Sequence, residues 1–85
     1  MTDLMSVHAM DFVSQAERNI AKWGDQDFET LALAIAEEAG EVAQAVLQYG
    51  HEGKPLRRIY EEAHDLGPLC LQIMRLCDRE EPRHD

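Results

Sequence analysis

The chain has few of the residues that mark strands, disulfide frameworks or membrane spans. Its 85 residues include two cysteines and three prolines, and only 6% are aromatic. No segment alternates apolar and polar residues as a strand does, and no apolar run is long enough to span a bilayer. Eight basic residues against 17 acidic ones give a formal net charge of −9. This balance disfavours nucleic acid and anionic membranes as partners, because both require a cationic surface.

The cysteine spacing and the N-terminal segment both indicate a cytoplasmic protein. Cys70 and Cys77 lie about 10 Å apart along one predicted helix, too far for a disulfide. We interpret them as buried core thiols. The N-terminal segment "MTDLMSVHAMDF" has no basic stretch followed by an apolar one, so no signal peptide is expected.

The hydrophobic periodicity predicts a single all-α domain over residues 1–85. Apolar residues recur every three or four positions in three segments, residues 6–22, 28–49 and 56–77. Residues 78–85 lack this pattern and are expected to form a frayed tail. So short a chain buries only part of its surface on folding, which favours self-association.

Glycine, proline and serine mark the expected helix ends. Ser6 is predicted to cap the first helix and Gly24 to end it. In the segment "GHEGKP", Gly50 and Gly53 are predicted to break the second helix, and Pro55 suits the first position of the third. The short turn makes these two helices an antiparallel hairpin. Pro68, inside the third helix, predicts a kink or break there.

Three glutamates interrupt the otherwise apolar second helix, in the segment "AIAEEAGEVAQAV" at residues 34–46. At about 100° of rotation per residue, Glu38 falls on the apolar face, Glu41 at its edge and Glu37 farther out. An ordinary solvated acidic face explains Glu37 but not Glu38, since carboxylates avoid apolar seams.

The third helix repeats this arrangement, because Glu62 lies on its apolar side and Asp65 about 60° beyond it. Folding the hairpin about its turn brings Glu41 level with Glu62 and Glu38 level with Asp65. Interior carboxylates are costly unless they are paired, and the sequence places no basic residue among these four. Oxygen ligands without His or Cys are typical of Mg²⁺ or Mn²⁺ sites.

The acid pattern also resembles a known family. The spacing Glu37-Glu38-x-x-Glu41, then after 20 residues Glu62-x-x-Asp65, is similar to the signature of the MazG-like nucleotide pyrophosphohydrolases. These enzymes belong to the all-α NTP pyrophosphatase superfamily. The flanking segments "KWGDQD", "LAIAEEAGEVAQAVL" and "EEAHDLG" extend the resemblance over most of the chain.

The resemblance implies hydrolysis of a nucleoside triphosphate, (d)NTP, between its α and β phosphates. The products would be (d)NMP and pyrophosphate, as in nucleotide-pool sanitation. By position, Glu38, Glu41, Glu62 and Asp65 would bind Mg²⁺. Glu37, as a further ligand or by orienting the attacking water, would join Glu38 as a candidate catalytic residue.

The chain departs from the family pattern at Gly67 and Pro68, and it is shorter than many members. A second apolar stripe on the second helix, formed by Leu33, Gly40 and Leu47, faces away from the first. A helix that is apolar on two sides needs two neighbours. We therefore expect a homodimer or a dimer of dimers, with a four-helix core completed by oligomerisation.

Substrate contacts are predicted more weakly. Trp23, Lys54 and Arg75 are candidates for binding the nucleotide, and Arg57 and Arg58 for contacting its phosphates. The alternatives are ordinary packing for Trp23 and solvated surface charge for the basic residues.

Two other interpretations stand beside the nucleotide hydrolase. Glu61-x-x-His64 has the ligand spacing of di-iron carboxylate bundles, but such sites need two copies of this motif and the chain has one. The remaining histidines, His8, His51 and His84, show no ligand spacing.

The alternative to an enzyme is a non-catalytic helical assembly or regulatory module with the same fold. Binding of metal or nucleotide without turnover would distinguish it from the hydrolase.

Overall fold

A computed structural model describes residues 3–81 as three helices, α1 (Leu4–Trp23), α2 (Phe28–Glu52) and α3 (Arg57–Glu80). These residues contain no strand, so the all-α prediction is confirmed. Within the same residues, no helix has both the length and the apolar character needed to cross a membrane. Each helix is longer than its hydrophobic pattern predicts.

The start of α1 corrects the predicted cap. Asp3 is the N-cap, and its carboxylate accepts a hydrogen bond of 3.1 Å from the backbone N–H of Met5. Ser6 lies inside the first turn and donates its hydroxyl to Asp3 at 3.3 Å. The Ser6 prediction was wrong because the helix begins three residues earlier, where the Asp3 carboxylate accepts from one of the free N–H groups of the first turn. As predicted, α1 ends at Gly24, where φ is +77°.

The end of α2 corrects a second prediction. Gly50 lies within the helix, which continues to Glu52 and stops at Gly53. Gly53 has the left-handed conformation, with φ of +66°, that ends many helices. Its N–H bonds to the carbonyl of Gln48. Of the two predicted breakers, Gly53 is therefore confirmed and Gly50 is wrong, because the sequence alone does not show which glycine takes positive φ.

The structure also changes three expectations for α3. The helix begins at Arg57, so Pro55 precedes it rather than opening it. Pro68 does not break α3, and its ring is fully buried. The frayed tail was predicted to begin at residue 78, which is too early. Helix α3 runs to Glu80, and Arg79 pairs with Asp25 of the α1–α2 loop. Residues 82–85, including His84, lie outside the described residues.

Helix α3 lies between the other two helices. It packs against α2 as an antiparallel hairpin and against α1 on another side, while α1 and α2 do not pack together within residues 3–81. Few side chains are buried as a result: Ala16, Leu31, Ala45, Pro68 and Gln72. The arrangement leaves an open cleft between α1 and α2, with α3 as its floor.

Helix α1 is held to α3 by an aromatic cluster. The ring of Phe12 meets His64 edge-on at 5.4 Å between centroids, and His8 meets Tyr60 at 5.5 Å. Phe12 also lies directly over Gly67, where a Cβ atom would come within 3.0 Å of its ring. Gly67 therefore permits the close approach of α1, which gives a physical reason for the glycine.

The cysteine prediction was wrong for the single chain. Cys70 and Cys77 are both exposed, as is Met74 on the same strip of α3. They are exposed because α2 and α1 cover two other sides of α3 and leave this strip open.

Candidate metal centre

The α2–α3 hairpin brings the predicted acids together. Glu38 of α2 and Glu62 and Asp65 of α3 each place a carboxylate oxygen within 4.8 Å of the other two. Glu37, Glu38 and Glu41 form a second group with the same spacing. Glu38 belongs to both groups, so it is the geometric centre of the five acids.

The acids differ in their exposure to solvent. Glu38, Glu41 and Glu62 are half-buried in the seam between the helices, whereas Glu37 and Asp65 are exposed. The Oε2 atoms of Glu38 and Glu62 are buried and have no hydrogen-bond partner among residues 3–81. Exposed acids often cluster on surfaces, but buried oxygens without partners are rare because they lose their solvation without compensation.

Burial and mutual repulsion disfavour the charged form of two of these acids. The pKa of Glu38 is raised chiefly by desolvation and further by the charges of Asp65, Glu62 and Glu37, while a hydrogen bond with Glu41 lowers it in part. The pKa of Glu62 is raised first because its protonated form can donate a hydrogen bond to Glu41, then by burial and the charge of Glu41. The isolated chain therefore holds protons on the Glu38 and Glu62 carboxyls more tightly than ordinary glutamates do.

One basic residue acts on the cluster, which the sequence analysis did not foresee. Arg58 is half-buried one helical turn before Glu62, and its charge partly offsets the raised pKa of that carboxyl. Its guanidinium donates to the side chain of Gln48 on α2, and it makes no ion pair within residues 3–81. Arg58 therefore compensates the acidic charge only in part.

An open cavity of about 390 Å³ lies in the cleft beside Glu38 and Asp65. Its wall consists largely of polar and aromatic side chains from α1 and the following loop: Gln15, Asn19, Trp23 and Gln26. Trp23 is 62% exposed there, and the Lys22 ammonium lies 4.8 Å from its ring centroid. Trp23 is thus the one weak substrate-binding candidate that lines this cavity.

A chain of hydrogen bonds fixes the carboxamides of this wall. Gln15 donates to Asn19 at 2.9 Å, and Asn19 donates to Gln72 at 2.8 Å. Gln72 is only 4% exposed, so it anchors the chain to the floor of the cleft. Sequence reasoning missed these residues. The available signal was the spacing of Gln15 and Asn19, four apart beside the packing face of α1.

The other predicted substrate contacts lie elsewhere. Arg75 pairs with Asp25 at 3.3 Å, and Arg79 pairs with the same carboxylate, so this loop is tied to α3. Lys54 lies exposed in the α2–α3 turn and does not line the cavity. His64 packs against Phe12, and neither it nor Glu61 joins the carboxylate groups found within residues 3–81.

Comparisons with protein-family models, curated proteins and solved structures found no significant match. The resemblance to the MazG-like family therefore rests on the acid spacing and its flanking segments, and it stays a prediction.

The raised pKa values of Glu38 and Glu62 predict a pH dependence for the metal-free protein. Because the folded state holds these protons more tightly than the unfolded state, their contribution to stability is full below the ordinary glutamate pKa of 4.5. It is lost as the pH rises through the raised values. We expect thermal melts in chelator, from pH 4.5 to 8, to show this loss.

A double variant, Glu38→Gln with Glu62→Gln, isolates this effect from the titration of the other acids. The difference in melting temperature between it and the wild type should grow with pH and then level off. A difference that stays constant over the whole range would contradict the assignment.

Proposed function

We propose that the protein is a Mg²⁺-dependent nucleoside triphosphate pyrophosphohydrolase. It would cleave (d)NTP between the α and β phosphates and release (d)NMP and pyrophosphate. The observation that carries the proposal is the pair of buried, unpartnered carboxylate oxygens of Glu38 and Glu62. Glu38 also lines a cavity wide enough for a ligand.

The acids fit a hard divalent cation. Glu38, Glu41, Glu62 and Asp65 offer only oxygen ligands, from two facing helices, which suits Mg²⁺ and permits Mn²⁺. When bound, such an ion supplies charge neutralisation for the polyphosphate and activation of a water nucleophile. Glu37, exposed beside Glu38, is positioned to orient that water or to act as a further ligand.

The cleft fits the rest of a nucleotide. Its volume of about 390 Å³ falls in the range of small-molecule sites, roughly 300–1,000 Å³. The exposed ring of Trp23 is suited to stacking on a base, and the carboxamides of Asn19, Gln15 and Gln26 are suited to its polar edge. In this arrangement the nucleoside lies against α1 and the phosphates point toward the acids of α2 and α3.

The charge of the chain is consistent with a substrate that is accompanied by a divalent cation. At −9, the protein repels polyanions unless cations intervene, so neither nucleic acid nor an anionic membrane is a proposed partner. A triphosphate approaches the acids only as its Mg²⁺ complex. The free thiols of Cys70 and Cys77 suit a reducing compartment, and we place the enzyme in the cytoplasm.

Self-association belongs to the same proposal. With the side chains of Ala16, Leu31 and Ala45 as its buried hydrophobic core, a single chain has little to offset the entropy of folding. We propose that the enzyme acts as a homodimer or a dimer of dimers, in which neighbouring copies supply the missing packing.

Release of pyrophosphate from a panel of dNTPs and NTPs tests the activity directly. We expect release with Mg²⁺, little with chelator, and recovery when Mg²⁺ or Mn²⁺ is restored. Release of orthophosphate instead would place cleavage at another phosphate and contradict the proposal. If the chain binds Mg²⁺ or nucleotide but turns over no member of the panel, the regulatory module is the better interpretation.

A further inference from the structure

The loop between α1 and α2 carries part of the cavity wall but has little packing of its own. Residues 24–27 separate the two helices, and Trp23 and Gln26, on either side of Gly24 and Asp25, line the cavity. Trp23 is 62% exposed, so few side chains hold its ring in place. The position of this part of the wall therefore depends on how the loop backbone is held.

Asp25 attaches this loop to α3. Its Oδ1 lies 3.3 Å from Nε of Arg75, and its Oδ2 accepts a hydrogen bond from Nη1 of Arg79. Among residues 3–81, these are the only ion pairs between different elements of the chain. Within the same residues, no other group of the loop makes a hydrogen bond to α3. Both oxygens of one carboxylate are thus engaged by the floor of the cleft.

The two arginines form a directional support for the carboxylate. Arg75 and Arg79 lie four residues apart, so they project from the same face of α3, one turn from each other. A guanidinium carries its donors in a fixed plane, so pairing with both oxygens of one carboxylate restricts direction as well as distance. Because both arginines belong to α3, Asp25 sets the separation between the loop and the floor of the cleft.

The ion pairs add little to the stability of the fold. The side chain of Asp25 is 36% exposed and those of the two arginines are 53% and 55% exposed, and pairs at such positions contribute little to the free energy of folding. Helix α1 is held to α3 elsewhere, by Phe12 over Gly67 and by Asn19 bonded to Gln72. Loss of Asp25 would therefore release the loop without undocking α1.

We infer that Asp25 is a positioning residue, which holds Trp23 and Gln26 at the distance from α3 at which a nucleoside fits the cleft. Asp25 does not line the cavity itself, so it acts through these two neighbours. Arg75, predicted to bind the nucleotide directly, then acts on it from outside the cavity. The inference rests on the nucleotide binding of the proposed function but not on hydrolysis.

Binding of a nucleotide that cannot be cleaved at the proposed bond tests this role. The probes are the α,β-methylene analogues of the common dNTPs with Mg²⁺, and the signal is the fluorescence of Trp23, the only tryptophan in the chain. In Asp25→Ala, we expect Kd to rise about fivefold or more, the lower end of what the loss of one stacked base costs. The melting temperature should stay nearly unchanged, and in turnover KM should rise while kcat is retained.

A charge control and a salt series accompany this measurement. Glu29→Ala removes an exposed acid from the first turn of α2 and should bind the analogues as the wild type does. At about 1 M salt the Debye length falls to about 3 Å, so exposed ion pairs are screened. The ratio of Kd between Asp25→Ala and the wild type should then fall toward one.

Substitution of the arginines tests the coupling. Arg75→Gln with Arg79→Gln should raise Kd as much as Asp25→Ala does, and adding Asp25→Ala should raise it no further, because residues that act together are not additive. Additive effects would overturn the inference, as would wild-type affinity in Asp25→Ala. A large fall in melting temperature together with the lost affinity would show that Asp25 supports the fold instead, and would also overturn it.

The same measurements separate this inference from the proposed activity. A wild type that binds the analogues but releases no pyrophosphate from dNTPs would contradict the hydrolase and leave the positioning role standing. A wild type that releases pyrophosphate but shows no change in Trp23 fluorescence with any analogue would overturn the positioning role and leave the hydrolase standing.

Discussion

Replacing Glu38 with Gln is expected to lower Mg²⁺-dependent pyrophosphate release by about 100-fold or more. Glu38 belongs to both carboxylate groups, so its replacement removes a ligand from each. In chelator, the same variant should unfold at a higher temperature than the wild type. The raised pKa of Glu38 shows that its charge, desolvated and facing Asp65 and Glu62, is unfavourable in the folded chain. Removing about 1 kcal/mol of such repulsion raises the melting temperature of a domain this size by roughly 4–8 °C.

The Glu38→Gln variant is expected to lose activity but to gain stability in chelator, and these opposite signs make the prediction informative. A purely structural residue would lose activity and stability together, whereas a metal ligand loses activity while the metal-free protein gains stability. Mg²⁺ at 100 times its dissociation constant should stabilise the wild type by about 2.7 kcal/mol and the variant far less. The control is Glu61→Gln, the same substitution at an exposed acid outside both groups. Unchanged turnover in Glu38→Gln would remove this residue from the site.

The main features of the hairpin could be predicted from the sequence because they depend on local rules. The periodicity of the apolar residues sets three helices, and a short turn makes α2 and α3 antiparallel. Two acids on each facing side must then meet at the same depth. This reasoning needs only 3.6 residues per turn, and the structure places Glu38, Glu62 and Asp65 within 4.8 Å of one another.

The position of α1 could not be predicted in the same way. Its connection to α2 is a loop without regular structure, so which side of α3 it covers depends on tertiary packing. The packing of Phe12 over Gly67 fixes the position of α1. The sequence does not predict this contact, because a single glycine within a helix has no distinctive pattern. The carboxamide wall of the cleft was missed for this reason, since Asn19 meets Gln72 only after α1 has docked. The end of α2 was predicted three residues too early because Gly50 and Gly53 were both candidate breakers, and only the fold shows that Gly53 ends the helix.

Gly67→Ala is expected to displace α1 from α3. A Cβ at this position would lie less than 3.0 Å from three ring atoms of Phe12, and that ring is held edge-on by His64. Overpacking of this kind costs about 1–3 kcal/mol, more than the roughly 1 kcal/mol that Ala gains over Gly in a helix. The melting temperature should fall by several degrees, and the near-UV circular dichroism of the aromatic cluster should weaken.

The effect of Gly67→Ala on the kinetics should distinguish the α1 side of the cleft from the acidic side. Helix α1 and its loop carry Asn19 and Trp23, whereas the acids belong to α2 and α3. Gly67→Ala should therefore raise KM for the nucleotide more than it lowers kcat, and leave stabilisation by Mg²⁺ alone nearly intact. Adding Phe12→Leu, which removes the ring, should recover much of the lost stability. The matched control is Gly50→Ala, where a Cβ meets no atom within 4 Å, and no loss of stability is expected. If Gly67→Ala leaves the melting temperature and KM unchanged, the contact with Phe12 does not position α1.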